Sequence, residues 1–391
     1  MGCNMSISSI VVVIFWLSLC MILYIHLAYP FILMIISVFQ LKLSIDKNHN
    51  ADLPHITLFI PAYNEENVIS KKIENALNID YPEHLLEIVV ASDGSVDETN
   101  DIIRSFESKG ITPFISDQNL GKNAIINTFI PKTRGEILVF TDSNAMFSAD
   151  ALRHLARAFD NPKVGCVGGR LRYLSGNSAV ARGEGLYFRY ENLLRKWEGR
   201  LGRSVGANGA IYAIRRELFE PVPGHVPNDF YHPLIVLRKG YDSTFAPDAI
   251  AYEKPTERQG EEFNRRMRIV ARSVAAIPAT LKIAGSYSAG AWFSLFSHKI
   301  LRWLGFPILM LNLLANIYLA GQPFFLALFV VQLTFYICGT LGYWGERVGF
   351  RIKALYIPYY FLLINIACFF GIIQWLVGKR ITKWQAASTT R

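Results

Sequence analysis

Glu87-Ile88-Val89-Val90-Ala91-Ser92 runs straight into Asp93-Gly94-Ser95, and Glu136-Ile137-Leu138-Val139-Phe140-Thr141 runs straight into Asp142-Ser143-Asn144. Each reads as a buried strand that ends in a carboxylate. An apolar strand cannot hold a bare carboxylate in its interior, so both aspartates must emerge where their strands leave the core. In an open α/β sheet that edge is where ligands bind. Between the two clusters, Asn119-Leu120-Gly121-Lys122 places a cation at the start of a helix. Carboxylates for a metal, a lysine for phosphate and strand-end loops together point to a nucleoside diphosphate ligand.

The neighbouring sequence extends the pattern. Ile56–Ile60 reads as a buried strand, followed by the loop Pro61-Ala62-Tyr63-Asn64-Glu65-Glu66 and a helix over 66–77. A helix over 97–108, a strand over 112–116, a helix over 122–129, a helix over 149–159 and a strand over 164–171 follow. This alternation predicts a parallel, doubly wound sheet. Asp97 reads equally as a helix cap or as a functional carboxylate, with Ser95 or Val96 near the cap position.

The chain has 391 residues, 51% of them hydrophobic, and a mean hydropathy of +0.24. The excess sits at the two ends and leaves a mixed-polarity middle long enough for one sizeable α/β domain. Residues 10–39 form one apolar run broken only by His26 and Pro30, which exceeds the ~20 residues a spanning helix needs. It reads as one tilted helix or a helix kinked at the proline, since it is too long for a signal peptide and lacks a basic leader. Three more apolar runs lie at 303–320, 324–344 and 354–377, and 286–296 reads as an interfacial helix. The expected division is 1–45 as a membrane anchor, 46–280 as a catalytic domain and 281–391 as the interfacial helix with about three spans.

The net charge is +9. No nucleic-acid recognition motif is present, and the positive-inside effect accounts for much of the basic excess. Arg347, Arg351 and Lys353 between the last two runs, and Lys42 and Lys47 after the first, place the middle domain in the cytoplasm. The basic tail with Lys379, Arg380, Lys383 and Arg391 conflicts with a count of four spans. Met1-Gly2-Cys3 fits an acylation pattern that would add little beside a spanning helix. The five cysteines have neither disulfide nor metal-site spacing.

Six segments in order resemble the family-2 glycosyltransferases, in particular the membrane-embedded inverting enzymes that include cellulose, chitin, hyaluronan and poly-N-acetylglucosamine synthases. They are IPAYNEE (60–66), VVASDGSVDET (89–99), NLGKNAIIN (119–127), FTDSNAMF (140–147), GANGAIYAIRRELF (206–219) and PNDFYHPLIVLRKGYDSTFAPDAIAYE (227–253). The resemblance implies a GT-A type, Rossmann-like, doubly wound mixed sheet with N- and C-terminal transmembrane helices. It implies that Ala62, Tyr63, Glu65 and Asp93 hold the nucleoside, with Lys122 near base and diphosphate. The family's Asp-x-Asp reads Asp142-Ser143-Asn144 here, so Asp142 and Asn144 would hold Mg²⁺ or Mn²⁺. Asn208 and Gly209 would form the acceptor floor. Asp229 resembles the catalytic base, and its residue type equally suits a cap for a helix beginning near Phe230. Of the family's Gln-x-x-Arg-Trp, Arg268 stays in register for the diphosphate and Ile269 replaces the aromatic platform. Arg265, Arg266 and Arg272 read alternatively as the solvated face of an amphipathic helix. His298 to Trp303 resembles a stretch in related membrane enzymes but carries no assigned role.

The implied activity is metal-dependent, inverting transfer of a sugar from a nucleotide donor, UDP-linked first, to a saccharide or lipid-linked acceptor at the membrane. The alternatives are a single-addition lipid enzyme and a non-catalytic scaffold that binds nucleotide sugar for polysaccharide export. All of them require Asp93, Asp142 and Asp229 to converge on one crevice.

Overall fold

A computed structural model describes residues 7–39, 52–174, 179–256, 258–349 and 352–378. Met1-Gly2-Cys3, Lys42, Lys47, Arg351 and the tail from Lys379 to Arg391 lie outside the described residues.

The chain opens with helix α1, Ile7–Phe39. Pro30 neither ends nor breaks it. A single π turn, Tyr24–Ala28, precedes the proline, and the Tyr29 N–H reaches back to the Tyr24 carbonyl. A wider turn there relieves the clash between the proline ring and the carbonyl four residues earlier. The helix packs on two partners: Phe15 against Leu319 and Phe325 of the C-terminal helices, and Tyr29 and Leu33 against Leu194 and Leu201 of the middle domain.

The middle domain runs β1 (Ile56–Ala62), α2 (Ile69–Leu77), β2 (Leu86–Asp93), α3 (Thr99–Ser105), β3 (Ile111–Ser116), α4 (Lys122–Phe129), β4 (Ile137–Phe140), β5 (Met146–Phe147), α5 (Ala151–Ala158), β6 (Val164–Tyr173), α6 (Ala179–Arg200), β7 (Tyr212–Arg215), α7 (Asn228–Arg238), β8 (Asp242–Glu253) and α8 (Gln259–Thr280). Strand β1 is buried along its whole length, because both faces of the sheet are covered. Ile56, Leu58 and Ile60 join one core with α2 and α5; Phe59, Leu138 and Phe140 join a second with α4.

The expectation of a parallel sheet holds for six of the eight strands, β6 and β8 also pairing in parallel, and fails for β7 and β5. The strand order is β3-β2-β1-β4-β7-β6-β8-β5. Strands β3 to β4 are parallel, but β7 is antiparallel to both β4 and β6, and β5 is antiparallel to β8. The register gives the reason. Tyr212, the first residue of β7, pairs with Phe140, the last of β4. The chain turns at Asn208-Gly209 on the strand-end edge, so β7 can only run away from that edge.

After α8 come α9 (Ala289–Trp303), α10 (Gly305–Leu319), α11 (Pro323–Arg347) and α12 (Tyr356–Leu376). Among the described residues three helices are long and apolar enough to cross a membrane, or up to four if α9 and α10, bent by 60° at Leu304, count as one span. Helix α9 turns Trp292, Phe293 and Phe296 outward. Helix α8 is not the solvated amphipathic helix of the alternative reading: Arg265 and Arg266 are drawn inward by Glu184 and Glu262, and Arg272 donates to the Val226 carbonyl at 2.8 Å.

Candidate active site

Two strand-end loops are laced together by their own polar side chains. Asn64, after β1, adopts the left-handed backbone conformation (φ 52°), which asparagine tolerates better than most residues. Its N–H donates to Ser95 Oγ at 3.1 Å, and its Oδ1 accepts the Val96 N–H at 3.0 Å. Asp97 accepts from the Thr99 N–H (3.1 Å) and from the Glu66 N–H (3.3 Å). It therefore fastens the start of α3 to the loop after β1, one residue before the helix cap at Glu98. Ala62 and Glu65 are buried here and Tyr63 is half-buried.

Asp93 closes the next loop. Its Oδ1 accepts the Leu120 N–H at 2.7 Å and its Oδ2 the Gly121 N–H at 2.9 Å. Burial raises its pKa, and these two hydrogen bonds oppose the rise. Gly121 has φ +94°, a conformation open to glycine, and so delivers Lys122 to the first position of α4. Lys122 Nζ then meets Asp142 Oδ1 at 2.5 Å.

The loop carrying Asp142 is held from beneath by Lys72, which is fully buried. Lys72 Nζ donates to Thr141 Oγ1 at 3.0 Å and to the Ala145 carbonyl, and lies 4.3 Å from the centre of the Phe147 ring. Burial pushes its ammonium down to about 7. Thr141 in turn donates to the Ala210 carbonyl at 2.9 Å, which fastens the Asp142 loop to the Asn208-Gly209 turn. Glu253, at the end of β8, is also buried, and burial followed by Asp142 pushes its carboxyl up to about 8.

Asp229 sits in the first turn of α7, which begins at Asn228 rather than near Phe230. It does not cap that helix. Its Oδ2 accepts the Gly209 N–H at 2.9 Å, and its carbonyl accepts the Ala207 N–H at 2.8 Å. A methyl group at Gly209 would stand 3.2 Å from Asp142 Oδ2 and 3.5 Å from Asp229 Oδ2, so both carboxylates border the Gly209 turn. Burial raises the Asp229 pKa, Lys122 opposes that, and Asp142 adds to it. Behind Asp229, Asn228 Nδ2 donates to Tyr212 Oη at 2.6 Å, and Tyr212 Oη lies 3.0 Å from His232 Nδ1. Burial holds His232 down to about 3, so it is a neutral prop.

A cavity of about 600 Å³ connects these groups to the C-terminal helices. Of the residues expected at the site, Lys122, Asp142, Asn208, Gly209, Asp229 and Arg268 line it; Ala62, Tyr63, Glu65, Asp93 and Asn144 do not. The convergence expected of three aspartates thus unites Asp142 and Asp229. Asp93 stands one residue removed, its carboxylate engaged by the turn that delivers Lys122. Burial, then Arg272 and Arg265, push the Arg268 guanidinium down to about 10. Ile269 also lines the cavity.

Helix α6 supplies groups that the sequence reading missed. Glu184, Glu191, Arg195 and Glu198 are all buried at spacings that put them along one helix face. Glu191 meets Arg302 and His298, and Glu198 accepts from Tyr29 Oη at 2.6 Å and lies 2.8 Å from His298 Nδ1. The stretch His298–Trp303 is therefore the dock between α6 and α9.

Asp142 and Asn144 offer hard oxygen donors at a strand end, next to a cavity. That donor set suits Mg²⁺ or Mn²⁺, which take one or two protein carboxylates and complete their shell with substrate phosphates and water. Among the described residues no group of three His, Cys, Asp or Glu side chains could hold a metal alone, so the substrate would share the ion.

The fold is that of a GT-A glycosyltransferase. It is similar over 94% of this chain, and 99% of the other, to a mannosyltransferase, PcManGT, from Pyrobaculum calidifontis solved in complex with GDP-Man and Mn2+ (TM-score 0.68, 21% identity). Residues 57–221 match the family model Glycosyl transferase family 2. It is 27% identical over 223 residues to a probable glycosyltransferase, YdaM, of Bacillus subtilis (53% of this chain, 52% of that one). It is 30% identical over 125 residues to a beta-monoglucosyldiacylglycerol synthase of Nostoc (31% and 27%). The chain thus spans about half or less of the length of these two relatives.

Proposed function

We propose that this protein is a membrane-bound, metal-dependent, inverting glycosyltransferase that moves a sugar from a nucleoside diphosphate donor to a saccharide or lipid-linked acceptor. The observation that carries this is that the Asp142 and Asp229 carboxylates both border Gly209 and line one cavity, which the apolar C-terminal helices also line. Asp142 and Asn144 hold the divalent ion, which when bound neutralises the diphosphate leaving group. Lys122 and Arg268 add fixed positive charge on the same side. Asp229 takes the proton of the acceptor hydroxyl as its oxygen bonds to the anomeric carbon and the bond to the diphosphate breaks. Its raised pKa brings the base closer to neutral pH, and the Gly209 N–H keeps the carboxylate aimed. Ala207 and Gly209 leave room for the sugar to reach the backbone.

The catalytic domain faces the cytoplasm in this reading, with α1 as anchor, α11 and α12 as spans, and the bent pair α9 and α10 as one broken span. Ile269 lines the cavity where the family resemblance expects an aromatic platform. That favours one or few additions over a long polymer. The test is nucleoside diphosphate release by the full-length protein in detergent, with a panel of UDP- and GDP-sugars and Mn²⁺ or Mg²⁺. GDP-sugars belong in the panel because the Pyrobaculum neighbour was captured with one. The mass of the product separates a ladder from a single addition. Donor binding without any turnover would favour the scaffold instead.

A further inference from the structure

Beyond Asp229, the cavity changes character. Arg195 of α6 is only 8% exposed, yet its Nε and Nη1 are buried with no hydrogen-bond partner among the described residues. Arg272 of α8 donates Nη2 to the Val226 carbonyl, and its Nε is likewise buried and unpartnered. Both guanidinium groups act on Asp229 through charge. Lys299 stands over the same floor: a methyl at Gly206 would lie 3.7 Å from its Cε. Its neighbour Glu191, 3.6 Å away, is already engaged by Arg302 and His298.

A buried guanidinium with open donors is costly unless an anion completes it. The donor diphosphate already has the metal, Lys122 and Arg268. The same cavity is also lined by Leu186, Ile357, Phe361 and Ile364, apolar side chains that suit a lipid chain rather than a sugar or a free anion. We propose that Arg195, Arg272 and Lys299 bind the phosphate of an acceptor whose hydroxyl-bearing head is joined through that phosphate to a lipid chain lying along α12. This deepens the glycosyl-transfer reading and rests on it.

The test uses full-length protein in detergent micelles and follows thermal stability during titration with farnesyl phosphate, farnesol, dioleoylphosphatidic acid, diolein and inorganic phosphate. The phosphate lipids bind at least tenfold more tightly than their neutral counterparts. Arg195→Gln and, on a separate helix, Arg272→Gln each weaken that binding at least tenfold, while Arg195→Lys recovers part of it. A preference for farnesyl phosphate or for phosphatidic acid names the lipid class, and either supports the site. Equal binding of farnesol, or a full effect from inorganic phosphate alone, overturns it. So does Arg195→Gln if it weakens UDP or GDP binding more than lipid binding, since the cluster would then serve the donor. Nucleotide binding in the same assay separates the two claims. Nucleotide without phosphate-lipid preference sinks the anion site alone; lipid phosphate without nucleotide keeps the site and sinks the transferase reading.

Discussion

Replacing Lys72 by methionine separates positioning from stability. The ammonium is fully buried, and the fall from an ordinary 10.5 to about 7 corresponds to about 5 kcal/mol against the charged form, at ~1.4 kcal/mol per tenfold change. Against that stand its two hydrogen bonds, to Thr141 and Ala145, worth about 1.5–3 kcal/mol each for a charged donor. Methionine keeps the length and the contact with Phe147 and removes both effects, so they nearly cancel. Stability should therefore stay within about 2 kcal/mol of wild type, read by thermal or urea unfolding. The Asp142 loop, however, loses its support from beneath. Loss of such a supporting group typically costs about 10- to 100-fold in metal affinity, so the Mn²⁺ concentration for half-maximal activity should rise by that factor. The pH dependence gives an independent check. Between about 7 and 10.5 the unfolded chain keeps a proton on Lys72 that the folded chain has released. Wild-type stability therefore gains a contribution as pH rises through that window, up to ~1.4 kcal/mol per pH unit, and Lys72→Met lacks it. An unchanged Mn²⁺ requirement in a folded Lys72→Met protein would refute this reasoning.

Burial holds Asp229 above the ordinary carboxylate range, and a base acts only when deprotonated. Activity is therefore lost as pH falls through the raised value, so the acid limb of a kcat/KM profile should lie above ~4; a limb at or below that contradicts the assignment. Gly209→Ala places a methyl 3.2 Å from Asp142 and 3.5 Å from Asp229. Its backbone is not in the left-handed region, so the fold should survive with Tm little changed, while kcat/KM falls about 10²-fold. Arg266→Met removes the 2.6 Å bond to buried Glu262 and should destabilise by about 3 kcal/mol. The pair of exposed Arg258 with half-buried Glu261 should tolerate Arg258→Ala to within about 1 kcal/mol. Chemical denaturation of both variants compares the two.

The first half of the domain was legible because its physics is local. A continuous apolar run that stops at a carboxylate can only be a buried strand reaching the sheet edge, which located Asp93 and Asp142. The second half depends on where the chain turns. Strand β7 has only four residues and β5 two, and their direction follows from the Asn208-Gly209 turn rather than from any pattern within them. Asp93 accepts two backbone N–H groups of the loop that precedes Lys122, contacts that spacing alone cannot reveal. Lys72 left a signal that went unused: it falls on the apolar stripe of α2 with Ile69, Ile73 and Ala76, all buried, while Lys71 beside it is exposed. Glu262 lies one helical turn before Arg266 and was readable as its partner. Glu184, the partner of Arg265, comes from α6, 81 residues away, and only the fold brings it there.

The central claim is that Asp229 deprotonates an acceptor beside a metal-bound donor at Asp142. The most direct measurement compares wild type and Asp229→Asn in full-length form, following sugar transfer and nucleoside diphosphate release with Mn²⁺. The account predicts a fall of about 10²- to 10⁴-fold in transfer, with donor binding retained and all turnover abolished by chelation. An Asp229→Asn protein that still transfers sugar at the wild-type rate would contradict it.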